Sequence, residues 1–210
     1  AAMLAYLAGI PRRLSYCREN PYQLLTDWVP EKEPYSFIRH QVQRDIDLVD
    51  EIGAVCKNPK LSVMPKSESW VQLQKKLAGE GVMLHKPWVV VHAGVSEKKR
   101  ELPVEIWVET AKKLIEELGV QLLMTGSKKE KVLTDYIADE IGAGAHSIGG
   151  LCSLGEFVSL IENAPLLISV NTGPVHIAAA VNTPVIVLYA LTNPQHTPWM
   201  VPHKVFYFDI

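Results

Sequence analysis

Two hydrophobic periods alternate along this chain. From Trp88 onward, short continuous apolar runs take turns with stretches whose apolar residues recur every three or four positions. The runs Trp88–Val91, Val120–Met124, Leu166–Val170 and Pro184–Tyr189 have the length and character of buried strands. Between the first two, Ile106, Trp107, Ala111, Leu114, Ile115 and Leu118 share one helical face, with Pro103 suited to the first turn and Gly119 to the stop. Lys128–Ile141, Leu154–Ile161 and Pro174–Val181 read as further helices, and His146–Ile148 as a short strand. Fully apolar strands alternating with amphipathic helices predict βαβ units, a parallel sheet and right-handed crossovers.

The first part is less regular. Residues 1–53 read as a helix, a short strand, a long loop and a second helix with Ile38, Val42, Ile46, Val49 and Ile52 on one face, stopped by Gly53. Asn58-Pro59 and Met64-Pro65 mark a linker over 54–66. Ser67-Glu68-Ser69 then opens an amphipathic helix that Gly79 and Gly81 end. A division near residue 60 follows, into 1–60 and 61–210. The chain opens inside a helical run without a cap and closes on Val205-Phe206-Tyr207-Phe208, a strand-like run with nothing to cover it. Both ends read as cut, so the expectation is a piece of a longer protein.

Composition narrows the classes. With 21 basic and 23 acidic residues among 210, the charge is nearly balanced, and there is no electrostatic footprint for nucleic acid. Cys17, Cys56 and Cys152 match no disulfide or metal framework and read as reduced thiols. No histidine pair has the helical spacing of a metal site, so no metal is expected. No run reaches the ~20 apolar residues of a membrane helix.

In an open parallel sheet, ligands bind beyond the carboxyl ends of the strands, so the segments that follow each strand carry the chemistry. The strongest is Asn171-Thr172-Gly173-Pro174-Val175-His176. A side-chain oxygen of Asn171 or Thr172 suits the helix cap, Pro174 presets the first turn, and the free N–H groups favour an anion. His176 in that turn can face the same anion or pack as a core histidine. After Trp88–Val91 come His92-Ala93-Gly94-Val95-Ser96 and a basic cluster ending in Arg100. The small residues let a ligand approach the backbone, and Arg100 suits a diphosphate, whereas Lys98 and Lys99 read as solvated. After Val120–Met124, Glu130 can accept from ribose hydroxyls or simply favour the helix dipole. The glycines at 142 and 144 follow a helix rather than a strand, so a dinucleotide fingerprint is not expected, nor is there a Walker A loop or a nucleophile elbow.

Together, His92-Ala93-Gly94…Arg100…Pro103, Thr125-Gly126…Glu130, Leu151-Cys152-Ser153-Leu154, Asn171-Thr172-Gly173-Pro174-Val175-His176-Ile177-Ala178-Ala179-Ala180 and Thr183-Pro184…Asn193-Pro194 resemble glycosyltransferase family 9, the heptosyltransferases of the lipopolysaccharide inner core. Leu7-Ala8-Gly9-Ile10-Pro11-Arg12-Arg13 extends the likeness more loosely. The resemblance implies a GT-B type α/β fold: a C-terminal Rossmann-like parallel-sheet domain over 61–210 that binds a nucleotide-sugar donor such as ADP-heptose, and the end of an N-terminal acceptor domain over 1–60. It implies an inverting transfer, without metal or cofactor, to a lipid-linked saccharide acceptor of lipopolysaccharide type. The implied location is cytoplasmic, at the inner face of the cytoplasmic membrane. The implied donor contacts are Gly94, Ser96, Arg100, Glu130, Cys152, Asn171, Thr172, Gly173 and His176. Within them Arg100 matches the diphosphate contact, Glu130 the ribose contact and Cys152 a residue against the base. Asn171 stands where the family usually has Asp, and Leu102 where it has Trp. The family's catalytic Asp precedes the matched region, so no residue of this chain is assigned as the base. A non-catalytic nucleotide-sugar-binding module and a nucleotide-sugar epimerase of the same fold are the alternative readings.

Overall fold

The computed structural model describes residues 2–20, 22–31, 38–95, 97, 100–190 and 194–208. The chain divides into two compact units, Ala1–Pro59 with Pro194–His196, and Lys60–Asn193 with Thr197–Ile210.

The first unit holds helix α1 (Ala2–Leu7), strands β1 (Leu14–Cys17) and β2 (Asp27–Pro30), and helix α2 (Gln41–Asp50). The long loop expected from the sequence contains β2, which pairs parallel to β1 with Leu14 opposite Asp27. Its four residues end in proline and are too few to show a period. Asn20 closes the connection: its amide donates to the Leu25 carbonyl at 3.0 Å and accepts from the Leu25 N–H at 3.2 Å. Helix α2 begins three residues later than the apolar pattern predicts. His40 Nδ1 accepts the Val42 N–H at 3.1 Å and caps the helix, leaving Ile38 outside it and 61% exposed.

The second unit is built on six parallel strands. In chain order it contains α3 (Ser67–Gly79), β3 (Trp88–His92), α4 (Val104–Leu118), β4 (Gln121–Thr125), α5 (Lys131–Ile141), β5 (Ala145–Ser147), α6 (Leu154–Asn163), β6 (Leu167–Val170), α7 (Gly173–Val181), β7 (Val185–Tyr189) and β8 (His203–Tyr207). The strands lie in the order β5-β4-β3-β6-β7-β8, and every neighbouring pair is parallel. Successive residues of a strand face opposite sides of a sheet, which is why these strands are apolar throughout. Val90 and Leu123 join a core with Leu73 and Leu77 of α3, Leu160 and Ile161 of α6, and Val175 and Ala178 of α7. Their neighbours Val91, Leu122 and Met124 join a second core with Trp107 and Ala111 of α4 and Ile137 and Ile141 of α5. On that second face an apolar cleft of about 420 Å³ opens between α4 and the outer strands, bordered by Ile106, Leu114, Ile186, Leu188 and Phe206.

Several boundaries differ from the sequence expectation for local reasons. Pro103 is the N-cap residue of α4, with φ −50° and ψ 136°, rather than part of its first turn. Gly119 does end that helix, in the left-handed region at φ 63° where a side chain is unfavourable. Ile106 and Leu118, expected on the buried face, are 46% and 63% exposed, because Trp107 and Ala111 carry the contact with the sheet. Helix α5 starts at Lys131, three residues late, since 128–130 form a turn held by the Glu130 N–H on the Ser127 carbonyl.

Candidate ligand site at the carboxyl rim of the sheet

The strand order reverses direction between β3 and β6. Chain progress runs outward one way through β4 to β5 and the other way through β7 to β8. The loops leaving β3 and β6 therefore part to opposite faces, and a crevice forms beyond their carboxyl ends. In register, His92 at the end of β3 stands beside Ser169 of β6, so the segments after His92 and after Val170 flank that crevice.

On the β6 side, the Asn171 N–H donates to the Leu188 carbonyl at 3.2 Å, tying the corner to β7. Thr172 is the N-cap residue of α7, yet neither it nor Asn171 caps the helix as the sequence reading expected. The Thr172 hydroxyl donates backward to the Val170 carbonyl at 3.3 Å, so its oxygen is turned from the helix end. Among the described residues, helix α7 thus starts without a side-chain cap, and a Cβ at Gly173 would meet nothing within 4 Å. Pro174 has no N–H and the Val175 N–H bonds to the Thr172 carbonyl at 3.1 Å, so what this helix start offers an anion is the Gly173 N–H and the positive dipole end. His176 is half-buried within the same first turn.

On the β3 side the glycine expected to admit a ligand does something else. A Cβ at Gly94 would lie 2.2 Å from Glu130 Oε1, so the space beside this glycine is filled by the Glu130 carboxylate. Gly126 makes room for the same side chain, with 3.0 Å between its virtual Cβ and the Glu130 Cβ. Glu130 curls back to accept the Ser127 N–H at 2.6 Å through Oε2. Burial pushes this carboxyl up, but the Ser127 hydrogen bonds and the nearby His92 outweigh it and hold Glu130 below the usual carboxylate value. Gly94 and Glu130, chosen separately from sequence, are therefore one packed unit. Arg100 pairs with Glu97 at 3.1 Å in the β3–α4 loop. A pair this exposed is weak enough to exchange its carboxylate for a ligand phosphate. Ser96 lies outside the described residues.

The loop after β5 is fastened to the loop after β4. Gly150 donates its N–H to the Gly126 carbonyl at 2.8 Å, and a Cβ on Gly149 would fall 2.2 Å from Thr134 Oγ1. This places Leu151 and Cys152 against the α3, α6 and α7 core. Burial, with the charge of Glu156 behind it, pushes the Cys152 thiol up to about 11. It is an uncharged, soft surface and not a nucleophile. Ser153 and Glu156 form a reciprocal capping box at the start of α6. Lys76 of α3 grips both Glu156 oxygens, at 2.7 and 2.8 Å. Among the described residues no group of three or more His, Cys, Asp or Glu side chains is placed to hold a metal ion, and no helix is long and apolar enough to cross a membrane.

Sequence reasoning passed over two rim residues. His92 and Thr125 end β3 and β4, stand opposite each other in register and touch at 3.0 Å between Nδ1 and Oγ1. The available signal was a histidine closing an apolar strand with a hydroxyl residue closing the next.

The strand order and the rim define a doubly wound α/β domain with its ligand crevice at β3 and β6. The chain belongs to glycosyltransferase family 9 (heptosyltransferase), whose family model matches residues 1–207. Among curated relatives, lipooligosaccharide heptosyltransferase 2 of Haemophilus influenzae is 28% identical over 211 residues, covering 94% of this chain and 59% of its own length. The chain thus spans about three fifths of the curated relatives it matches. Two solved structures share the fold. A family 9 glycosyltransferase from Veillonella parvula matches at TM-score 0.82 and 17% identity, over 99% of this chain and 59% of that one. The E. coli ADP-heptose heptosyltransferase II matches at TM-score 0.72 and 24% identity, over 98% and 64%.

Proposed function

We propose that this chain carries the donor-binding part of an inverting glycosyltransferase. The enzyme moves a heptose-like sugar from an ADP-sugar to a lipopolysaccharide-type acceptor at the cytoplasmic face of the membrane. The observation that carries the reading is the uncapped start of α7 at the β3/β6 crevice, with open space at Gly173. The donor's diphosphate fits there, at the Gly173 N–H and the positive end of the helix beside His176, with Arg100 released from Glu97 to the phosphates. Glu130, already ionised and held at the start of α5 beside Gly94, accepts from the ribose hydroxyls. Cys152 offers the base an apolar surface. Residues 61–210 form this donor domain and residues 1–60 the end of the acceptor domain. Heptosyltransferase names among the relatives, one of them naming ADP-heptose, support the donor class.

In the transfer, an uncapped helix start stabilises charge that grows on the departing diphosphate, and it needs no reorganisation to do so. Asn171 is uncharged, so it adds no repulsion to that anion. The residue that takes the acceptor proton is not among the site residues assigned in this chain.

The test is thermal denaturation with ADP and with UDP. ADP at ~100 times its dissociation constant should stabilise by roughly 2.7 kcal/mol, about 5–10 °C for a chain of this size. UDP should act more weakly. A melting temperature unmoved by any nucleotide would sink the proposal.

A further inference from the structure

Cys152 sits on a loop that is fastened from two sides. On one side the Gly150 N–H reaches the Gly126 carbonyl of the β4–α5 loop at 2.8 Å, and the Leu151 N–H donates to the Ile148 carbonyl at 3.2 Å. On the other side, the two peptide groups that flank Cys152 both lead to one pair of charges. The Leu151 carbonyl accepts from Lys76 Nζ at 3.4 Å, and the Ser153 N–H donates to Glu156 Oε2 at 2.8 Å. Lys76 in turn holds Glu156 at 2.7 Å through Oε1 and 2.8 Å through Oε2. The N–H and C=O of Cys152 itself make no hydrogen bond among the described residues. Its position is therefore set by the tethers on its neighbours.

This pair is more than a helix cap requires. A capping box satisfies its donors with a carboxylate that can stay in water. Here the Glu156 carboxylate is buried, which is costly for a charge unless it is paired. The pairing charge comes from α3, 80 residues away in the chain. Helices α3 and α6 approach closely, since a Cβ on Gly155 would stand 3.4 Å from Ser69 Oγ. The ammonium is thus delivered to the loop by a packed helix. Without it the carboxylate has no counter-charge, the Ser153 tether loosens, and the Leu151 carbonyl loses its donor. A segment that reads a ligand must be held closely in place by such supporting contacts.

We propose that Lys76, acting through Glu156 and the Leu151 carbonyl, is a positioning residue for base selection: it fixes the Cys152 segment against the adenine of the donor, and with it the preference for ADP over UDP. This rests on the donor reading above, in which Cys152 faces the base.

Two measurements test it. Calorimetric titration compares ADP with UDP on the wild type and on Lys76→Met, which keeps an unbranched side chain and removes its donors. The two nucleotides share ribose and diphosphate, so a change at the base alters their ratio, whereas a loss of folded protein lowers the number of sites and leaves the ratio as it was. Lys76→Met is expected to weaken ADP about tenfold, as for the loss of about one hydrogen bond, with UDP little changed. If the wild type prefers ADP and Lys76→Met keeps that preference in full, this inference falls and the donor reading stands. A wild type that binds the two alike has no base selection for Lys76 to control and sinks the inference too. If the wild type binds neither, both fall. The second measurement needs no variant: NMR hydrogen exchange on the wild type reads the Ser153 amide. Held by Glu156, it is expected to exchange about a hundredfold or more slowly than an unstructured amide. Exchange at the unstructured rate means that the loop is not held, and overturns the proposal whether or not Lys76→Met folds.

Discussion

The Gly94–Glu130 contact makes a sharp prediction, because one atom decides its sign. In Gly94→Ala the new Cβ is built 2.2 Å from Glu130 Oε1 and 2.6 Å from its Cδ, well inside contact distance. Gly94 is not among the positive-φ glycines, so the backbone itself accepts alanine. The carboxylate sits at the end of a flexible side chain and must swing away. It then loses the 2.6 Å bond from the Ser127 N–H. A hydrogen bond to a charged group contributes about 1.5–3 kcal/mol, and the partial exposure of Glu130 argues for the low end, about 1.5. Replacing glycine at a permissive position returns about 0.5 kcal/mol through the unfolded chain. The net cost is about 1 kcal/mol, or a fall of about 3 °C. In a Glu130→Ala background there is nothing to displace, so the same substitution should raise the melting temperature by about 2 °C. Four melting curves, for the wild type, both single variants and the double variant, complete the cycle. If Gly94→Ala lowers the melting temperature equally in both backgrounds, the collision is not with Glu130 and the packed unit does not exist in solution.

Other expectations follow from neighbouring contacts. Lys76→Ala strands the Glu156 carboxylate, which is only 3% exposed, with its Ser153 partners alone; the partly exposed lysine limits the cost to about 2 kcal/mol by denaturant titration. Burial pushes Glu156 up, but the Lys76 and Ser153 hydrogen bonds outweigh it and hold the carboxyl below 4.5. The group therefore stabilises the fold above pH 4.5, and that contribution drains away as pH falls through the folded value; Lys76→Ala should flatten this acid limb of the stability profile. Gly149→Ala drives a methyl onto the buried Thr134 hydroxyl and to 3.0 Å from the Lys131 backbone. Backbone cannot swing aside, so about 2–3 kcal/mol of destabilisation is expected in the same titration. With iodoacetamide at pH 8, mass spectrometry should find exposed Cys56 alkylated well before Cys152, whose thiol is pushed up to about 11; equal rates would contradict the burial of that loop.

Much of this protein was legible from local pattern. The fully apolar runs at Trp88, Val120, Leu166 and Pro184 announced strands covered on both faces, and the helical faces between them required a parallel sheet. The corner after Val170 was recognisable because glycine and proline report the backbone directly. What the sequence left open depended on which strand lies beside which. The pairing of β3 with β6, and with it the crevice, is a choice of strand order that hydrophobic period does not encode. The cap of α7 was misread because the Thr172 hydroxyl had a competing acceptor in the Val170 carbonyl, visible only once the chain turns. Gly94 and Glu130 are 36 residues apart in the numbering, and so was the meaning of each until the sheet put the carboxylate where a side chain would have been. His92 likewise met Thr125 only when register set the two strand ends side by side. Element type is settled by neighbours along the chain, where covalent geometry and solvent exposure act. The chemistry of this rim is settled by neighbours across the sheet, where packing and proton counting act.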